Sequence, residues 1–364
     1  MTLRKILLGT TAVLGAGLMT AAVPSVAGAA EVKPGGALDL TLTGFARFRA
    51  HGGQLDDARL SNAFSRDLDF SNDTEVHVVA RAKDERTGLE YGGTVEFEAD
   101  TNATANTDES WIFVRGGFGE IRLGDEDGVA DNSSVGAQTI AAGTGGIDGS
   151  VIDTIGTPVV YLLNNNDATK IRYYTPTFGG FQFGISYTPQ QAAVDSGAGN
   201  GDSLATKGVE AQNVVDAGLT YKGEFGGVGV TASVVGITGD LKDSSVFGGG
   251  SWHGWQAGAA FDIFGFKVAG SYADEKVGDA DRTWYTAGVG YGYGPANVSV
   301  TYGKAIDTNA FWAGDKPSNL VFSADYALMP GLVLAGDVGF FNNDARVGPE
   351  RSGWQAVGRL GLAF

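Results

Sequence analysis

Apolar and polar residues alternate along most of this chain. The clearest run is Lys170 to Tyr187, KIRYYTPTFGGFQFGISY. Ile171, Tyr173 and Thr175 share one parity, with Lys170, Arg172 and Tyr174 on the other. Phe181, Phe183, Ile185 and Tyr187 then alternate with Gln182, Gly184 and Ser186. Successive side chains on a strand point to opposite faces, so each run reads as a two-faced strand. Thr175-Pro176 and Gly179-Gly180 supply the turn between them. Neither strand buries itself alone. Each needs neighbours with the same two-sidedness.

The rest of the chain supplies them. Leu38, Leu40, Leu42, Ala46, Phe48 and Ala50 oppose Asp39, Thr41, Thr43, Arg47 and Arg49, and only Phe45 breaks the pattern. Val76, Val78, Ala80 and Ala82 alternate with Glu75, His77, Arg81 and Lys83. After the turn Glu85 to Gly88, Leu89, Tyr91, Val95 and Phe97 alternate with Glu90, Thr94, Glu96 and Glu98. Runs at 110–115 and 120–124 are joined by Gly116 to Gly119. Further strands are expected near 214–222, 228–237, 252–263, 266–273, 283–292, 296–304, 319–327, 332–341 and 353–364. That makes sixteen.

Their connections alternate in length. Short links (Glu224 to Gly227, Phe264-Gly265, Gly294-Pro295, Met329 to Gly331) alternate with longer polar ones at 189–213, 238–251, 274–282, 305–318 and 342–352. An even strand number with sorted loops fits an all-β, 16-stranded antiparallel transmembrane β-barrel, apolar outside and polar inside. A soluble sandwich or propeller also alternates, but has no reason to sort its loops onto two sides. The segment Asp125 to Asp167 breaks the rhythm, and loops of that length inside compact folds usually serve a function.

Residues 1–29 read as a signal peptide: Arg4 and Lys5, an apolar run from Ile6 to Val23, and Ala27-Gly28-Ala29 as the cleavage site, with Ala30 close behind. Residues 30–364 then form the barrel domain. Removing Arg4 and Lys5 from 25 basic residues leaves 23 against 42 acidic ones, a net charge of about −19. That balance excludes nucleic acid as a partner, which would need basic patches. With no cysteine, disulfides and thiolate metal sites are excluded too. The 58 glycines are dispersed and suit tight turns and curved sheet.

Several segments resemble Gram-negative general porins. Gly117 to Gly124 (GFGEIRLG) is similar to the segment preceding their inward-folded third loop, and Ile171 to Phe181 to the hairpin that follows it. The end, Gly361-Leu362-Ala363-Phe364, resembles the terminal strand of outer-membrane proteins. The family's acidic PEF-type loop motif has no counterpart between Asp125 and Asp167. The resemblance implies a homotrimer in outer-membrane lipid, each barrel holding a water-filled pore narrowed by the third loop. It also implies passive diffusion of ions and small hydrophilic solutes, no cofactor, and an assembly signal at Leu360, Leu362 and Phe364 read by the outer-membrane assembly machinery.

The candidate chemistry is electrostatic. The loop carries Asp125, Glu126, Asp127, Asp131, Asp148, Asp153 and Asp167 without a Lys or Arg, while Arg47, Arg49, Arg81, Arg122, Arg172 and Arg359 fall on the wet parity of strands. If the loop folds inward, acids face bases across a narrow aqueous gap, where low-dielectric walls focus the field and charge rows select ions. Each charge is equally compatible with a solvated surface or a strand-to-strand pair. The spacing of Asp125, Glu126, Asp127 and Asp131 does not match an EF-hand, so no metal is assigned. Three histidines with no HExxH, and a GTGG without a following Lys, give no enzyme motif. Besides the channel, two readings stay open: a barrel acting mainly as an adhesin or structural surface protein, and a secreted soluble β protein.

Overall fold

The computed structural model describes residues 31–32, 38–55, 68–99, 107–150, 168–191, 211–242, 249–307, 316–344 and 351–364. The segment read as a signal peptide, its cleavage site, and Asp153 and Asp167 lie outside these. A two-residue strand β1 (Glu31–Val32) pairs with β2 (Asp39–Leu55). Then follow β3 (Asp69–Lys83), β4 (Glu90–Glu98), β5 (Ser110–Gly116), β6 (Gly119–Glu126), β7 (Ala168–Tyr174), β8 (Phe181–Gln191), β9 (Ala211–Phe225) and β10 (Val228–Leu241). The series ends with β11 (Gly250–Ile263), β12 (Phe266–Val277), β13 (Ala280–Tyr293), β14 (Ala296–Asp307), β15 (Lys316–Met329), β16 (Leu332–Asp344) and β17 (Arg351–Ala363).

From β2 to β17 each strand pairs antiparallel with the next, and β17 returns to pair with β2 from Gly353↔Leu55 to Ala363↔Phe45. The sheet is therefore a closed ring of sixteen strands, as the alternation implies. Phe364 completes the seam: its carbonyl accepts from Gly44 N at 2.9 Å and its N–H donates to Gly44 O at 3.0 Å. One connection differs from expectation. The segment 274–282 is no long loop, because β12 and β13 run on to a two-residue turn at Gly278-Asp279, with Val277 paired to Ala280. Several other strands also outrun their apolar alternation, β2 by five residues to Leu55. Crossing hydrocarbon takes only about 9–11 residues, so the extra length carries the wall beyond the bilayer, where backbone pairing continues without an oily face.

Burial is inverted relative to a water-soluble protein. Ile112, Ile171, Phe183, Val268, Val289, Val298, Leu334 and Leu360 are exposed on the outer face. Ser186, Thr188, Gln256, Thr286, Thr301 and Gln355 are buried on the inner face. Such a continuous apolar outer belt far exceeds the few hundred Å² a soluble monomer tolerates, so it faces lipid. The aromatics cap this belt at two heights. Phe181–Tyr221, Tyr221–Phe225 and Phe266–Tyr291 ring pairs lie by the short turns. Phe48–Phe70, Trp255–Tyr272 and Phe322–Phe340 lie toward the opposite rim. On β12 the two sets, at Phe266 and Tyr272, lie six residues apart, ~20 Å along the strand, which a tilt of about 40° reduces to ~15 Å of height, within an outer-membrane apolar band.

Candidate functional site

The segment after β6 turns into the ring and crosses it along the inner wall. Its root is held by charge. Glu126, buried at the end of β6, pairs with Arg122 Nη1 of the same strand at 3.1 Å and with Arg172 Nη1 of β7 at 3.2 Å. Arg122 Nε also donates to Glu120 Oε1 at 2.5 Å, and its guanidinium lies 4.2 Å from the Trp111 ring. Arg172 Nη1 donates to Asp127 O, and Asp127 N to Glu109 Oε1. Breaking one member of a buried pair of this kind typically costs about 3–5 kcal/mol, because the remaining charge is stranded.

Beyond the root, a helical turn α1 (Val129–Ser133) and 3-10 turns at Ala137–Ile140 and Gly146–Asp148 lie against β8 to β16. Short turns leave backbone N–H groups unsatisfied, and here wall side chains accept them. Ala130 N donates to Asp216 Oδ1 (2.7 Å), Ala137 N to Thr286 Oγ1 (3.0 Å), Ala142 N to Ser299 Oγ (2.8 Å) and Ile147 N to Thr301 Oγ1 (3.1 Å). At the far end Gly143 N donates to Asp325 Oδ2 (2.9 Å). Thr144 N lies 3.1 Å from Asp337 Oδ2, and the Thr144 hydroxyl donates to the same carboxylate. Arg359 Nη2 closes the path by donating to Gly143 O at 3.1 Å. Val129, Ala137 and Ile147 are fully buried between loop and wall.

Two glycines permit this approach. Gly143 has φ +70°, a conformation side chains disfavour, and a Cβ there would lie 1.9 Å from Asp337 Oδ1. A Cβ on Gly258 of β11 would lie 1.8 Å from Val135 O.

The ring's other inner wall, on β17 and β2 to β6, carries a sharp charge boundary. Arg359 stands opposite Arg49 in register, with Arg47 two residues away. Asp73 on β3 accepts from Arg47 Nη1 at 3.0 Å and also from Arg49. Phe45, the residue that breaks the sequence pattern, faces inward and lies 3.5 Å from the Arg47 guanidinium. Beside these arginines come Glu75, His77, Glu96 and Glu98 on β3 and β4, then Asp108 and Glu109 before β5. Burial pushes the Asp108 carboxyl above its usual range, helped by the nearby charges of Glu75 and Asp127.

The sequence-derived residues do not gather in one place. Arg122 and Arg172, with Asp125 and Asp127, gather at the loop root, and Asp125 and Glu126 belong to β6 rather than to the loop. Arg47, Arg49 and Arg359 form the basic inner wall, of which Arg359 reaches the loop through a carbonyl rather than an acid. Arg81 is exposed at the short-turn end of β3, paired in register with Asp39 and Gly92, away from the anchored loop. Asp131 and Asp148 are half-buried in α1 and the last 3-10 turn. Trp284 and Trp252 face inward and are fully buried. Sequence reasoning missed the anchors Asp216, Asp325 and Asp337. Their one signal was an acid at inward parity among uncharged neighbours such as Val214 and Gly218, Val321 and Ser323, and Ala335 and Gly339.

A family model described as a Gram-negative porin matches residues 11–346. An uncharacterized protein of Rickettsia typhi is 24% identical over 371 residues, spanning 80% of this chain and 83% of the relative. The major outer membrane protein P.IB of Neisseria gonorrhoeae is 30% identical over 115 residues, 32% of this chain and 29% of its own. An anion-selective porin from Comamonas acidovorans has the same fold, with a TM-score of 0.61 at 19% identity, covering 90% of this chain and 100% of that one. The outer membrane channel DcaP of Acinetobacter baumannii gives 0.63 at 12% identity, covering 92% and 100%. With a sixteen-stranded ring, an oily outer belt, an inward loop and a family match across most of its length, this chain belongs to the Gram-negative porins, channel proteins of the outer membrane.

Proposed function

We propose that this porin forms a passive, water-filled channel for ions and small hydrophilic solutes, narrowed where the anchored loop faces the inner wall of β17 and β2 to β6. The observation that carries this reading is the row of loop-to-wall hydrogen bonds from Ala130 to Thr144. They hold the loop within a ring whose apolar side chains point out. The narrow section then runs past Arg47, Arg49 and Arg359 on one side and Glu75, Glu96 and Glu98 on the next. Side-by-side bands of opposite charge orient a dipolar solute crossing between low-dielectric walls. Asp127, Asp131 and Asp148 add negative potential from the loop side, with Asp125 at its root.

In this reading residues 1–29 are removed on export, and the mature chain assembles as a homotrimer. One fold neighbour, OmpT of Vibrio cholerae, is described in a trimer form. Leu360, Leu362 and Phe364 carry the signal read by the assembly machinery, and no catalytic step is involved. Reconstitution in planar bilayers tests the proposal. Discrete ohmic current steps, with a reversal potential in a salt gradient that changes in Arg49→Ala, support it. A correctly folded barrel that leaves the bilayer electrically silent refutes it.

A further inference from the structure

The channel reading uses Glu75, Glu96 and Glu98 on the inner face of β3 and β4 only as an acidic band, and gives no role to His77 set among them. Glu75 and His77 are two residues apart on β3, so both point inward. Register sets His77 opposite Glu96 and Glu75 opposite Glu98 on β4. His77 Nε2 lies 2.9 Å from Glu75 Oε1 and 3.6 Å from Glu96 Oε2. One potential ligand atom from each of the three lies within 4.8 Å of the others. A second set, Glu75, Glu98 and Asp108, shares Glu75 and meets the same limit.

Like charges set directly across neighbouring strands destabilise a sheet. Here Glu75 faces Glu98 in register, and the two strands plus the β4–β5 connection bring four carboxylates around one imidazole. A divalent cation removes that repulsion. The donor set selects which cation: Ca²⁺ and Mg²⁺ take oxygen ligands alone, whereas an imidazole nitrogen with carboxylate oxygens suits the Zn²⁺ class. We propose that Glu75, His77 and Glu96 bind a divalent transition-metal cation of the Zn²⁺ class on the pore wall, with Glu98 and Asp108 as the surrounding anionic shell. Bound there, the ion neutralises the acidic band beside the arginines and depresses cation flow.

Zn²⁺ titration calorimetry on the intact, detergent-solubilised protein tests the binding, and electron paramagnetic resonance of a Cu²⁺-loaded sample tests for nitrogen coupling. The expected result is one site per chain, weakened at least about tenfold in His77→Ala and in Glu96→Gln, with nitrogen coupling lost only in His77→Ala. Arg81→Ala binds as the parent does. In bilayers, Zn²⁺ lowers the parent's conductance, EDTA restores it, and His77→Ala does not respond. That last arm rests on the channel reading; the calorimetric one does not. Absence of Zn²⁺ uptake by the parent, or equal affinity in a folded His77→Ala, overturns the metal site and leaves the channel standing. Zn²⁺ binding by a barrel that carries no current overturns the channel alone.

Discussion

Replacing Asp337 by Ala isolates the hold of the wall on the far end of the inward loop. Its carboxylate, 2% exposed, accepts the Thr144 N–H and the Thr144 hydroxyl. Hydrogen bonds to a charged acceptor contribute about 1.5–3 kcal/mol each. Removing a buried carboxylate also relieves its desolvation, so the net loss of anchoring is about 2 kcal/mol. At 1.4 kcal/mol per tenfold, the detached population of the loop end rises ~30-fold. Gly143 keeps Asp325 and Arg359, so the loop loosens at Thr144 rather than leaving the wall altogether. The ring is unaffected, because the β15–β16–β17 ladders are backbone to backbone. Single-channel recording should therefore show larger and noisier current steps, while resistance of the folded barrel to heat in detergent stays at the parent value. If step size and noise match the parent in a variant shown to be folded, the loop is not held by this carboxylate and the anchoring argument fails.

Three further outcomes follow from the same geometry. Gly258→Leu drives a side chain into the Val135 carbonyl, so the loop shifts toward the open wall; conductance should fall while the apparent barrel mass on semi-native gels stays the same. Glu126→Gln removes the carboxylate shared by Arg122 and Arg172, leaving Arg122 with Glu120 and Arg172 with the Asp127 carbonyl; it should weaken the root by up to about 3 kcal/mol and expose the segment after Glu126 to added protease that spares the parent. Asp108, whose carboxyl burial raises, takes up its proton above the pH where an ordinary aspartate does. Its raised folded-state pKa means that protonation favours the folded form: the gain is full below the unfolded pKa and is lost as pH rises through the folded value. Cation preference should accordingly start to fall at a higher pH than an ordinary aspartate would set, and Asp108→Asn should remove that part of the titration in reversal-potential measurements.

The strands were legible because lipid imposes a local rule: every second residue must be apolar. The parity of Lys170, Arg172 and Tyr174 against Ile171 and Tyr173, and of Phe183 against Ser186, follows from that rule alone and matches their burial. The rule lapses where the wall leaves the bilayer. That is why β2 continues to Leu55, and why β12 and β13 meet at Gly278-Asp279 inside a segment that reads as loop. Charge partners were less legible, because they depend on which strands are neighbours and at what register. Arg47 and Arg49 share Asp73 only because β2 and β3 align Arg47 with Asp73. Nothing local says that a loop of Gly, Ala, Ser and Thr will be held by wall carboxylates 86 to 193 residues away.

The seam between β17 and β2 joins the two extremes of the chain, down to Phe364 against Gly44. Until the final residue has been delivered, two naked strand edges and a broad greasy surface stay open to any passer-by. Closure waits on the β17–β2 ladder from Gly353 to Ala363, and a chain lacking that whole strand would keep an open edge at both β16 and β2 rather than form a slightly leaky cylinder.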